Sequence, residues 1–138
     1  MNINLGELNY LALVVVTVFS CALGVAWYTV WVRPWMKEVG LTREAVLANR
    51  AQAVRGYAIA AVSWLLTAST LAVIVQLANA TTLVDGLVLG LMVGVGSVAT
   101  FLAVNYSFAM KSLRLYFIDV GYPVLAHAIM GSILALWQ

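Results

Sequence analysis

Formal charges fall at only twelve of the 138 positions, and they leave four uncharged stretches: residues 8–32, 56–84, 86–110 and 120–138. A helix needs about 20 such residues to cross a hydrocarbon core of ~30 Å. Four stretches therefore give four spans, with almost nothing left over for a soluble domain. The chain is 64% apolar and 9% charged, against about 25% charged residues in a water-soluble domain, so a soluble fold is excluded. The expectation is an all-α, four-transmembrane-helix bundle forming one membrane domain over residues 1–138. Its spans fall at about 8–32, 56–78, 83–110 and 113–137, with a long loop at 33–55.

The boundaries carry local chemistry. Arg33-Pro34 is expected to stop span one, because a residue before proline is pushed out of the helical region. Thr42 reads as an N-cap with Glu44 in the first turn, so 43–55 is expected to lead helically into span two. Whether 43–78 is one helix or bends at Gly56 stays open. Thr82-Leu83-Val84-Asp85 is a T-x-x-D capping signature for span three, which gives Asp85 a capping role at the surface. A helix starting at Pro123 would reach only about 24 Å. Span four therefore starts earlier, with a kink expected at Pro123 because Asp119 loses the helical partner of its carbonyl.

Cys21 is the single cysteine, so no intramolecular disulfide can form. Val18-Phe19-Ser20-Cys21 has some likeness to a lipoprotein cleavage site. However, no Lys or Arg precedes it and Glu7 does, the reverse of a signal-peptide n-region, so the first span is read as a retained helix. All seven basic residues (Arg33, Lys37, Arg43, Arg50, Arg55, Lys111 and Arg114) belong to the 33–55 loop or the 111–114 turn. The positive-inside rule puts these loops in the cytoplasm and both termini outside.

Along its length the chain resembles a family of bacterial membrane proteins, domain of unknown function 1761. The resemblance rests on Ala26-Trp27-Tyr28, Trp35-Met36, Gly40-Leu41-Thr42, Thr81-Thr82-Leu83 and Asp85-Gly86. It continues through Asn105-Tyr106, Ser112-Leu113, Gly121-Tyr122, Met130-Gly131 and Leu136-Trp137. Thr29-Val30 stands where Ser-Pro is expected, and Pro123 where the family often has a polar residue such as histidine; a histidine follows one turn later, at His127. The resemblance implies a four-helix protein of the bacterial cytoplasmic (inner) membrane and implies no activity.

Four sets of residues are candidates for more than spanning. Gly86, Gly90, Gly94 and Ser97 lie at helical spacing, where small residues let helices approach closely in lipid. Packing within the chain, against spans two and four, is the favoured reading, and a homo-oligomeric seam is the alternative. His127 lies near mid-membrane, and an intramembrane ionisable group is by default a functional candidate. Asp119 precedes it by two turns, with Tyr122 between them. A neutral His127 bonded to a Ser or Thr of span two or three is favoured over a proton relay.

Aromatic residues crowd the basic side: Trp27, Tyr28, Trp31, Trp35, Tyr57, Tyr106, Tyr116 and Tyr122. An interfacial belt is the first explanation. The second is a pocket for an anionic lipid headgroup lined by Asn105, Asp119 and arginines, with Arg33, Arg55, Lys111 and Arg114 as headgroup contacts.

No G-x-S-x-G, H-E-x-x-H, phosphate loop or C-x-x-C occurs. One His and one Cys do not make a metal ligand set, so no metal or other cofactor is expected, and no nucleic-acid partner. The favoured function is a non-catalytic structural or accessory membrane component, self-associated or docked on a larger complex. The alternative is an oligomeric conduit or transporter with His127 and Asp119 on a polar path. A third reading rests on Asn49-Arg50-Ala51-Gln52, which is similar to a segment of small glutathione-using membrane enzymes of the MAPEG superfamily, although span two lacks the acidic residue expected there.

Overall fold

The computed structural model describes residues 4–138, and every regular element among them is helical. A 3-10 turn at Leu5–Glu7 precedes α1 (Tyr10–Val30), α2 (Val32–Val39), α3 (Arg43–Ala48) and α4 (Arg50–Leu77). The third span joins α5 (Leu83–Val93), a π-helical turn (Gly94–Ala99) and α6 (Thr100–Phe108), and α7 (Leu113–Leu136) closes the chain. Four runs (Tyr10–Val30, Arg50–Leu77, Leu83–Phe108 and Leu113–Leu136) are long and apolar enough to cross a membrane. The four-helix expectation is borne out.

Polar side chains at the turns start the helices. Asn9, Thr42, Asn49, Thr82 and Ser112 each accept a hydrogen bond from the backbone N–H three residues on, satisfying one of the orphan donors of a first turn. Thr82 Oγ1 also donates to Asp85 Oδ2 at 2.7 Å, so the Asp85 carboxylate holds the capping hydroxyl in place. Gly40 ends α2 in the left-handed region at φ 71°, a conformation that costs glycine nothing.

Two boundaries differ from expectation. Span one ends at Val30, and Pro34 does not stop it but lies in the first turn of α2. There its missing N–H would have had no helical partner anyway. Residues 43–78 are not one helix: the break is at Asn49, whose side chain caps α4, and α4 then runs without interruption through Gly56. At 28 residues, α4 is about 42 Å long and exceeds the hydrocarbon core.

α7 is the central helix, lying between the α1–α4 pair and the third span, and it carries the longest set of buried residues. Val16, Ala68, Leu71, Val75 and Met130 are almost wholly buried where α1, α4 and α7 meet. On the other side of α7, the third span approaches at backbone distance. A Cβ built on Gly90 would lie 2.7 Å from the carbonyl carbon of His127 and 2.9 Å from Ala128 Cα. One on Gly86 would lie 2.6 Å from the carbonyl carbon of Gly131. Gly94 has 3.1 Å to Val124 Cα.

Ser97 leaves this line and is exposed, while Ala99 is buried. The π-helical turn is the cause: its wider spacing carries the inward position from Gly94 to the fifth residue on. Thr100 Oγ1 bonds back to the carbonyls of Gly96 (2.8 Å) and Ser97 (3.1 Å) within that turn.

Gly90→Leu is expected to destabilise the protein by at least the ~1–3 kcal/mol usual for overpacking. Gly56→Ala, where nothing lies within 4 Å of the added Cβ, is expected to hold or raise stability by up to ~1 kcal/mol. Thermal unfolding in mild detergent checks both. Equal stability of the two variants would contradict the close approach of the third span to α7.

Candidate functional site

Asp119 lies in the second turn of α7, about 9 Å along the axis from Leu113, and is half-buried. Its Oδ1 accepts from the Tyr28 hydroxyl at 2.8 Å and from Trp35 Nε1 at 3.0 Å, and its Oδ2 from the Tyr106 hydroxyl at 2.5 Å. These donors belong to α1, α2 and α6, so one carboxylate joins four segments of the chain. One residue earlier, the carbonyl of Ile118 accepts from Trp27 Nε1 at 2.8 Å. Glu38 of α2 accepts from the hydroxyl of Ser112, the α7 cap, which gives α2 a second tie to the same helix end.

The donor set suits the location. An aspartate at the centre of a membrane helix costs about 2.5–3.5 kcal/mol. Three intramembrane bonds at the average of ~0.6 kcal/mol return about 2 kcal/mol, and at the upper value of ~1.7 about 5. Held near a span end, the carboxylate is affordable without any cation, and all three donors are neutral.

His127 occupies a different place. It is 4% exposed, and its Nδ1 lies 2.7 Å from the carbonyl of Pro123 on its own helix. A carbonyl only accepts, so Nδ1 carries the proton and donates. The partner is thus α7 itself rather than the expected Ser or Thr of span two or three. The imidazole packs on Trp64, with centroids 5.5 Å apart, and Gly94 approaches its Cβ from the other side.

A run of ring contacts connects the two sites: Tyr28–Tyr122 at 6.0 Å, Tyr122–Trp64 at 5.4 Å, then Trp64–His127. It is not a hydrogen-bond chain, because the Tyr122 hydroxyl donates to the Ser20 carbonyl of α1 at 2.8 Å. Gly24 makes room for that ring; a Cβ there would lie 2.8 Å from its hydroxyl. Beside this contact the hydroxyl oxygen of Ser20 is fully buried and has no hydrogen-bond partner among the described residues.

Residues 11–135 match the family described as "Protein of unknown function (DUF1761)". The chain belongs to that family. No curated protein and no solved structure matches it. The stretch shared with DUF1761 contains every residue of the Asp119 junction and of the His127 site.

Another expectation about this region is corrected. Asn105 does not join Asp119; it is exposed and its side chain bonds the Phe101 carbonyl of its own helix. Tyr106, its neighbour, faces inward instead. Arg33, Arg55, Lys111 and Arg114 are exposed. Most of the aromatic residues on the basic side are hydrogen-bonded within the protein. Trp27, Tyr28, Trp35, Tyr106, Tyr116 and Tyr122 all donate to protein acceptors, Tyr116 to the Ala99 carbonyl at 3.1 Å. Trp31 and Tyr57 remain exposed. One sequence signal did point inward: Asp119, an acid within span four, lies at the end where Tyr and Trp accumulate.

Asp119→Ala is expected to loosen α2, whose Trp35 loses its acceptor. Amide exchange over Met36–Val39 should rise about tenfold, as loss of a charge-assisted bond implies, with exchange in the Leu71–Val75 core unchanged. Unaltered exchange over α2 would show that Asp119 does not hold it.

Proposed function

We propose that this protein is a non-catalytic structural or accessory component of a bacterial inner membrane, acting through its lipid-facing and partner-facing surfaces. The observation carrying this reading is where the polar groups are spent. Asp119 is occupied by Tyr28, Trp35 and Tyr106, and His127 by Pro123. Tyr122, which stands between them, directs its hydroxyl to a backbone carbonyl on α1. A conduit needs polar groups turned to a shared path, whereas these are turned to one another and to the backbone. Asn49, the first residue of the segment that is similar to glutathione-using enzymes, is occupied as the cap of α4.

The surfaces fit the same reading. α4 exposes Ile59, Val62, Leu65 and Leu66, and the third span exposes Val84, Val88, Met92, Val95, Phe101 and Val104. Such faces suit lipid or the helices of a larger assembly, including a second copy of the chain. The basic loops belong to the cytoplasmic side and both termini to the outer side.

Reconstituted vesicles test the function. Neither the native protein nor His127→Gln is expected to carry pH-driven flux, and a cytoplasm-only reporter should work when inserted at Gly40 and be silent after Gln138. A native flux abolished by His127→Gln would overturn the structural role in favour of a conduit.

A further inference from the structure

α2 has two working faces. Trp35 and Glu38 point to the bundle, where they meet Asp119 and Ser112. Val32, Arg33, Met36 and Lys37, offset around the helix as two i, i+4 pairs, face the other way. They form one wall of a groove of about 780 Å³ whose remaining lining is Leu41, Thr42, Arg43, Val46 and Leu47. The volume lies within the 300–1,000 Å³ of small-molecule sites.

The chemistry of that lining is amphiphilic. Its five apolar side chains, Val32, Met36, Leu41, Val46 and Leu47, continue from α2 through Leu41 to α3, and three cations, Arg33, Lys37 and Arg43, stand among them. No carboxylate lines the groove. Of the nearest acids in sequence, Glu38 is turned to Ser112 and Glu44 is outside the lining. Arg33, Lys37 and Arg43 are exposed and make no hydrogen bond or ion pair within the described residues. The groove also has a fixed depth: it opens immediately beyond span one, and the Trp35–Asp119 bond holds α2 against the end of span four.

We propose that the groove between α2 and α3 binds one anionic phospholipid. Its phosphodiester lies among Arg33, Lys37 and Arg43, and an acyl chain lies along Met36, Leu41, Val46 and Leu47. Charge complementarity selects an anionic headgroup over a zwitterionic one, and the apolar floor selects a lipid over free phosphate. The site is independent of whether the protein is an accessory component or a conduit.

Native mass spectrometry of the purified full chain, released from vesicles of phosphatidylglycerol or phosphatidylcholine, tests this. One phosphatidylglycerol should be retained and phosphatidylcholine should not. Arg33→Gln/Lys37→Gln/Arg43→Gln should weaken retention about tenfold or more, whereas Arg50→Gln/Arg55→Gln/Lys111→Gln, which removes the same charge outside the groove, should not. Because the triple change in α2 and α3 risks unfolding them, Val46→Ser/Leu47→Ser, at exposed floor positions, provides a second arm and should also weaken retention with the charges intact. Millimolar inorganic phosphate should fail to displace the lipid. Equal loss in both triple variants, unselective retention, indifference to the floor change, or displacement by phosphate would each overturn the proposal.

Discussion

In lipid, a polar group that water would otherwise solvate must find its partner within the protein, and Asp119 is where this demand organises the molecule. Its two oxygens collect donors from the first span, α2 and the third span onto the central helix. The contacts span separations of 91, 84 and 13 residues. They are thus tertiary ties closing long loops rather than local caps. α2 has no buried residue of its own, so its position depends on Trp35 and Glu38. The groove beyond it inherits that dependence.

The opposite half of the bundle is organised by absence of bulk. Apolar side chains gain nothing by leaving lipid for one another, so helices there associate through close packing. Gly86 and Gly90 meet Gly131 and the His127–Ala128 backbone at distances no side chain would allow. The π-helical turn at Gly94–Ala99 then changes the inward register just before Tyr106. Its last residue, Ala99, is buried and accepts from Tyr116, and α6 continues from there to deliver Tyr106 to Asp119. The two halves are thus coupled through one irregular turn, a feature that recurs at functional sites in helices.

The spans were legible because charge is excluded from a hydrocarbon core, so twelve charged positions were enough to mark four helices. Thr42 and Thr82 were legible as caps because capping is local, confined to four residues. The donors of Asp119 were not, because an aromatic belt and an inward ring of hydrogen bonds use the same residue types at the same depth, and only tertiary contacts distinguish Tyr28 or Trp35 from Trp31. Asn105 and Tyr106 show the limit at one-residue resolution: a register change upstream decides which faces inward. Ser97 failed for the same reason, since a regular 3.6-residue period cannot anticipate a π turn. His127 was legible as buried and polar, but not its partner, because a histidine four residues after any carbonyl can turn back onto its own helix.

The account rests on Asp119 and Tyr106 being energetically coupled, and a double-mutant cycle of Asp119→Ala and Tyr106→Phe, read by reversible unfolding in bicelles, measures that directly. A coupling of at least about 1 kcal/mol is expected for a bond to a carboxylate shielded from water. Additivity within ~0.3–0.5 kcal/mol, the behaviour of independent sites, would contradict the junction as the organising contact of the fold.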